Sequence, residues 1–352
     1  MHERPQWPDL LTRVINGEDL ERDEAAAAVN TIMDGEASPA ILASFLTALA
    51  AKGETPTEIR GMAEAMLAHT LPVSVGDGAL DIVGTGGDRM KTVNISTMAS
   101  IVIAATGVPV VKHGNRASSS ASGSADCLEA LGLNLSQTAE GVERDFAELG
   151  IAFIFANVFH PAMRYVSPTR RELGIATAFN ILGPLTNPAR PSVSVIGVSR
   201  LDAAELVAGV LAERGSVGLV FRGKNGMDEL SAVSINELWE VRDGAIERFD
   251  FDAVAELGLA KASVEDLHGD GPEYNAAVTR EVLEGQRVGP VREAVLLNAA
   301  GALVAAGRHE GTRAADGTFG ERIARAYAIA EEAVDSGKAI ELLDRWVALS
   351  NS

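Results

Sequence analysis

The 352-residue chain predicts an α/β protein: a small all-helical domain plus a larger α/β domain with a mostly parallel central sheet. Three observations predict it. The first seventy residues hold helical runs that close on glycines, with no strand signal. From residue 79, short β-rich runs alternate with helical stretches. One pair of such runs meets at an Asp-Gly turn. Strands alternating with helices build βαβ units, whose sheet is mostly parallel and covered on both faces.

Taken in order, "DLLTRVING" ends at Gly17, "ERDEAAAAVNTIMDG" at Gly35 and "SPAILASFLTALAAKG" at Gly53. Glycine is the preferred residue just past a helix. Ser38 is an N-cap with Pro39 at the first helical position, and Thr55 with Pro56 repeats the device in "TPTEIRGMAEAMLAHT". The strands follow as "ALDIV", "VPVV", "IAFIFA", "VSVIGVS" and "VGLVF", with helices at "STMASIVIAATG" and "LDAAELVAGVLAERG". "ELWEVRDGAIERF" is a hairpin turning at Asp243 and Gly244. From Pro290 onward the pattern is helical again. No repeat, low-complexity tract or linker separates the parts, so the two domains are expected to be interwoven. The helical one takes 1–75 with a returning segment near 165–190, and the α/β one takes 76–164 and 191–352.

Length implies about two domains at ~150 residues each. A hydrophobic content of 47% with 22% charged residues provides a sizeable core. The net charge of −19 argues against a nucleic-acid or anionic-membrane partner, which would require clustered Lys and Arg. It does not exclude a small anionic ligand, which feels only its own site. Cys127 is the one cysteine, so no intramolecular disulfide forms and a reducing, cytoplasmic location is expected. The opening "MHERPQWPDL" lacks the apolar core of a signal peptide, and no apolar run reaches the ~20 residues that span a bilayer.

Four motifs carry chemistry. Residues 81–88 read "DIVGTGGD", a strand leading into Gly84, Gly86 and Gly87 and then Asp88. A dinucleotide fingerprint fails because Arg89 stands where its third glycine belongs, and no Walker A loop matches. A tight structural turn and a phosphate cradle remain. The cradle gains from "NIST" beyond it: Asn94 is a candidate N-cap, Ser96 and Thr97 fall in the first turn, and a helix N-terminus offers N–H groups to phosphate. The second motif, "VPVVKHGNRASSSASGSAD", gathers Lys112, His113, Asn115, Arg116 and a run of serines at the next strand end. Cations beside hydroxyls there suit a polyanion. The third is the acidic pair Asp228 and Glu229, which suits Mg²⁺ bridging to phosphates. The fourth, "FHPAMRYVSPTRRELG", sets Arg164, Arg170 and Arg171 on a helix, where one arginine can meet a carboxylate.

Together the segments GTGGD, NIST, KHGNR with its serines, HPAMR, RRELG, FNILGPLTNPA and DEL resemble the anthranilate phosphoribosyltransferases, in order and spacing over nearly the whole chain. The resemblance implies a helical domain and an α/β domain flanking a cleft, a fold shared with pyrimidine nucleoside phosphorylases. It implies transfer of the phosphoribosyl group of phosphoribosyl pyrophosphate (PRPP) to anthranilate in tryptophan biosynthesis, and a homodimer pairing through the helical domain. The PRPP site would comprise Gly84, Gly87, Asp88, Thr92, Asn94, Ile95, Ser96, Thr97, Lys112, His113, Gly114, Asn115, Arg116, Ala117, Ser118, Ser119, Ser120 and Ser124. Anthranilate would meet Gly84, Asn115, His160 and Arg170, and a pair of Mg²⁺ ions per subunit would sit on Ser96, Asp228 and Glu229. His113 and Arg170 are the expected catalytic residues, His113 as a base titrating near neutrality. "RMK" at 89–91 departs from the small or polar residues expected there. Two alternatives stand beside this: a nucleoside phosphorylase on the same fold, and a non-catalytic nucleic-acid binder, against which the net charge argues.

Overall fold

A computed structural model describes residues 5–117 and 121–352; Ser118, Ser119 and Ser120 lie outside the described residues. Four helices come first: α1 (Trp7–Ile15), α2 (Arg22–Met33), α3 (Pro39–Lys52) and α4 (Pro56–Ala68). Their ends follow local chemistry. Ser38 Oγ accepts from the Ile41 N–H, and Thr55 forms a reciprocal capping box with Glu58. Each such cap contributes roughly 1 kcal/mol. Gly17, Gly35 and Gly53 stop their helices with positive φ.

The sheet has seven strands: β1 (Leu80–Gly84), β2 (Val110–Gly114), β3 (Ile151–Phe155), β4 (Val193–Gly197), β5 (Val217–Gly223), β6 (Asn236–Arg242) and β7 (Ala245–Phe251). Their spatial order is β3-β2-β1-β4-β5-β6-β7. The first five run parallel, and β6 and β7 close the edge as an antiparallel hairpin. Asp243 (φ 53°) and Gly244 (φ 75°) form its turn, both with the positive φ that a tight two-residue hairpin requires. Between the strands lie α5 (Ile95–Ala105), α6 (Ser124–Ala130), α7 (Ala139–Leu149), α8 (Ala156–Phe159), α9 (Ser167–Leu173), α10 (Phe179–Leu185) and α11 (Leu201–Glu213). The chain ends with α12 (Ala253–Leu257), α13 (Pro272–Leu283), α14 (Pro290–Ala306), α15 (Phe319–Asp335) and α16 (Lys338–Ser350).

Alternate residues along a strand face opposite sides, and the core divides accordingly. Val195 and Leu219 pack with α5 and α13 to α16 on one side. Their neighbours Ile196 and Val220 pack with α11 and the N-terminal helices on the other. Val166, Phe179, Leu182 and Leu185 share that second core with Phe45, Leu49, Met62 and Met66. The chain therefore returns to the helical layer after three strands. That return matters, because it places Arg170 and Phe179 opposite the carboxyl ends of β1 and β2.

Candidate active site

Strand order reverses at β1, since β2 lies on one side of it and β4 on the other. A crevice opens outside the carboxyl ends of the strands at such a point. Here it measures about 730 Å³. Four of the parallel strands end on glycines, at Gly84, Gly114, Gly197 and Gly223, and crowding enforces them. A Cβ on Gly84 would lie 2.5 Å from Asp228 Oδ2, one on Gly114 would strike Ser124 and Phe153, and one on Gly197 would strike the Asp228 backbone. The loop after β1 then turns through Gly86 (φ 68°) and Gly87 (φ 85°). Arg89 (φ 60°) and Lys91 (φ 53°) also take this left-handed conformation, although neither is a glycine. The "RMK" departure is thus a strained segment on the cleft rim.

The carboxylates converge beneath this loop. Asp228 Oδ2 accepts from the Gly86 N–H at 2.7 Å, and Glu229 Oε1 accepts from the Ser96 N–H at 3.2 Å. Both side chains are buried, and Asp88 Oδ2 is buried with no hydrogen-bond partner among the described residues. Burial pushes Glu229 up to about 8, against the pull of Lys112. Burial and the neighbouring charges of Asp88 and Glu229 push Asp228 well above the usual carboxylate range. Crowded, underpaired acids of this kind fit a cation. Among the described residues no group of three or more His, Cys, Asp or Glu side chains forms a metal cage. Mg²⁺ needs none, because it takes one or two carboxylates and completes its shell with water and substrate phosphates.

Lys112 is buried in β2, its Nζ donating to Ile82 O at 2.6 Å and to Ser96 Oγ at 3.3 Å. Burial lowers its pKa, and Asp81 and Glu229 oppose that. Asp81 is itself pushed up to about 6 by burial, despite Lys112 and the Asn187 carboxamide that donates to it at 2.9 Å. Neither Asp81 nor Asn187 was expected in the site. The signal for Asp81 was present, a charge inside an apolar strand, which demands a partner.

His113 corrects an expectation. Its Nδ1 donates to Gly183 O (3.2 Å) and its Nε2 faces His160 Nε2 (3.1 Å). Burial, then the neighbouring His160 and Lys112, push it down to about 3, and burial pushes His160 down to about 4. Both rings are neutral at pH 7, so His113 does not titrate near neutrality. Ile95 is a second correction: it is fully buried in the core, and its N–H donates to Val93 O. Arg116 lines the cleft as expected, its guanidinium paired with Asp126 and Glu129 at 2.9 and 2.7 Å. Asn94 stands at the N-cap of α5 yet makes no capping bond.

Arg170 differs from all of these. It lines the cleft, half-buried, with its guanidinium 5.5 Å from the centre of the Phe179 ring. Among the described residues no carboxylate pairs with it. Arg171 is exposed and outside the cleft, and Arg164 stacks on Tyr165 at the rim. The remaining expected residues Gly84, Gly87, Asp88, Thr92, Ser96, Thr97, Gly114, Asn115, Ala117 and Ser124 all line the same cleft. A buried diacid at one end and an unpaired guanidinium at the other are suited to a ligand bearing phosphates next to one bearing a carboxylate.

Two family models cover the chain: the helical bundle domain of the glycosyl transferase family over residues 8–70, and its a/b domain over 76–340. An anthranilate phosphoribosyltransferase of Arthrobacter sp. (strain FB24) is 55% identical over 98% of this chain and 96% of its own. The chain belongs to the anthranilate phosphoribosyltransferase family. As a member it is an enzyme, a transferase of the glycosyl transferase class. The crystal structure of the family member from Thermus thermophilus superposes with a TM-score of 0.90 at 44% identity, covering 98% of this chain and all of that one. The Saccharomyces cerevisiae member, in complex with PRPP and Mg, superposes with a TM-score of 0.81 at 28% identity, covering 94% and 92%. That yeast enzyme has also been solved with 4-fluoroanthranilate. Among the described residues of the present family member, no helix is long and apolar enough to cross a membrane.

Proposed function

We propose that the chain transfers the phosphoribosyl group of PRPP to the amine of anthranilate, giving N-(5-phosphoribosyl)anthranilate and pyrophosphate, the second step of tryptophan biosynthesis from chorismate. One observation carries the reading. Loops from β1, β2 and β5, far apart in sequence, meet Arg170 of the helical layer in a single cleft at the strand switch point. In this reading the pyrophosphate lies against the 84–88 loop, where glycines let an anion approach the main chain. The N-terminus of α5, with Ser96 and Thr97, receives a phosphate, and Lys112 supplies fixed positive potential from below. Arg170 orients the anthranilate carboxylate, with Asn115 and His160 beside it.

Displacement at C1 of PRPP passes through a loose transition state with positive charge on C1 and the ring oxygen. The residues then have two tasks, to stabilise the leaving pyrophosphate and to aim the amine. Ser96, Asp228 and Glu229 would hold Mg²⁺, which would supply neutralising charge to the leaving pyrophosphate. The amine attacks with its own lone pair and loses its proton afterwards, so the neutral His113–His160 pair serves as a wall of the acceptor pocket. The enzyme is assigned to the cytoplasm as a homodimer pairing through its helical domain, taken as 1–75 with 165–190 against 76–164 and 191–352. Ile15, 72% exposed at the end of α1, supports that pairing, and the packing of α10 with α3 and α4 supports counting 165–190 with the helical layer.

The test is direct. Purified protein with PRPP, Mg²⁺ and anthranilate should consume anthranilate fluorescence, and EDTA should stop it. A folded protein that leaves the signal unchanged overturns the assignment.

A further inference from the structure

Arg89 and Lys91 stand on the rim of the cleft as exposed cations. Among the described residues neither side chain makes an ion pair or a hydrogen bond. The chain carries a net charge of −19, so acids that could pair them are plentiful elsewhere on its surface. Arg116, on the same cleft, does find such partners in Asp126 and Glu129. Arg89 and Lys91 also share the left-handed backbone region, at φ 60° and 53°. Among the described residues only Arg190 and Asp243 join them there outside glycine. A side chain in that region crowds its own backbone, and glycine would not.

The segment is fixed from behind. Met90, between the two cations, packs against the main core, and its N–H donates to Asp88 Oδ1 at 3.1 Å. Lys91 O accepts from the Gly269 N–H at 2.8 Å, and Thr92 pairs with His268 in an antiparallel bridge. With Met90 turned inward, the backbone carries the side chains on either side of it to the cleft. Neither cation fills a core, so the strained conformation serves their placement and not packing. Just before them in the chain run Gly84, Gly86 and Gly87, the loop set against pyrophosphate in the reading above.

We propose that Arg89 and Lys91 form a clamp on the pyrophosphate end of the phosphoribosyl donor, gripping it from the rim while the 84–88 loop receives it from beneath. This rests on the function proposed above. Guanidinium and ammonium groups bind phosphate oxygens through charge-assisted hydrogen bonds. The same groups hold the product, so affinity for inorganic pyrophosphate reads the clamp without turnover.

The experiment titrates inorganic pyrophosphate with Mg²⁺ by calorimetry into wild type and two double variants. One, Arg89→Gln with Lys91→Met, removes the charges and keeps the backbone strain. The other, Arg89→Gly with Lys91→Gly, removes both. KM for each substrate and Tm are measured alongside. Both variants should bind pyrophosphate about 3- to 30-fold more weakly, two partly solvated charge contacts being lost. KM for PRPP should rise by a similar factor, with KM for anthranilate unchanged. Added salt should weaken wild type more steeply than either variant. The glycine variant should melt no lower than wild type, since it relieves both strained positions. Unchanged pyrophosphate affinity in the Gln and Met variant overturns the inference. So does a loss of affinity accompanied by a lowered Tm in both variants, or a salt dependence equal to that of wild type. Variants that match a wild type with turnover overturn the clamp alone; wild type without PRPP-dependent turnover overturns the functional reading, and the donor clamp with it.

Discussion

Gly84→Ala isolates the contact between the glycine loop and the acidic pair. Gly84 has an ordinary φ, so alanine meets no backbone penalty there, and the whole effect comes from one methyl group. That methyl would lie 2.5 Å from Asp228 Oδ2, so the carboxylate has to retreat by about 1 Å to an ordinary contact of 3.4 Å. The retreat breaks its 2.7 Å bond with the Gly86 N–H, worth about 0.5–1.5 kcal/mol. It also moves a proposed metal ligand by a distance that costs about 100-fold in rate when a reacting group is misplaced. We expect kcat/KM to fall about 100-fold and the Mg²⁺ concentration for half-maximal rate to rise. Tm should drop by no more than about 5 °C, because the carboxylate can swing into the cleft. Gly86→Ala is the control. Its Cβ meets nothing within 4 Å, but its φ is 68°, so it should cost about 1 kcal/mol of stability without shifting the Mg²⁺ dependence. A folded Gly84→Ala variant with wild-type kcat/KM and Mg²⁺ dependence would refute the reasoning.

Other predictions follow from the same geometry. Arg170→Ala should raise KM for anthranilate by about 10- to 100-fold and leave KM for PRPP nearly unchanged, because the lost interaction is a charge-assisted pair; equal changes in both would place Arg170 elsewhere. Asp228→Asn with Glu229→Gln should abolish Mg²⁺-stimulated turnover while leaving the protein folded, read by circular dichroism alongside the fluorescence assay. Lys112→Met leaves the buried Ile82 carbonyl without its 2.6 Å donor, and urea denaturation should show a loss of about 1–3 kcal/mol; a loss below about 0.5 kcal/mol would deny Lys112 that role. His113 and His160 are both depressed below the ordinary 6.5. Their contribution is therefore intact above pH 6.5 and lost as pH falls toward 4 and then 3, each tenfold drop in proton affinity being worth about 1.4 kcal/mol. Wild type should lose more stability between pH 7 and 4.5 than the double variant His113→Gln, His160→Gln.

The chain by itself determined what is local. Ser38 and Thr55 cap their helices because a hydroxyl followed by proline and a good helix former reaches no better partner than the next turn. Asp243 and Gly244 turn the hairpin because positive φ is open to few other pairs. Short β-rich runs alternating with helical stretches announced a mostly parallel sheet, though α13 carried too mild a pattern to be read. Even the family was legible, because its phosphate loops are short contiguous segments. Tertiary structure decided everything that depends on who the neighbours are. Adjacent Asp228 and Glu229 read the same whether solvated or buried; β1 and α5 bury them. Arg116 and Lys112 look alike as cations beside serines, yet Asp126 and Glu129 neutralise the first, and the sheet buries the second against the Ile82 carbonyl and Ser96. Arg170 rather than Arg171 faces the cleft because of the rotation of one short helix on the core built by Phe179. His113 loses its ordinary titration because burial opposes charge, and burial is a property of the assembled layers. A protonation state or an unpaired cation belongs to a place in space, and residues brought there from opposite ends of a chain carry no shared local pattern.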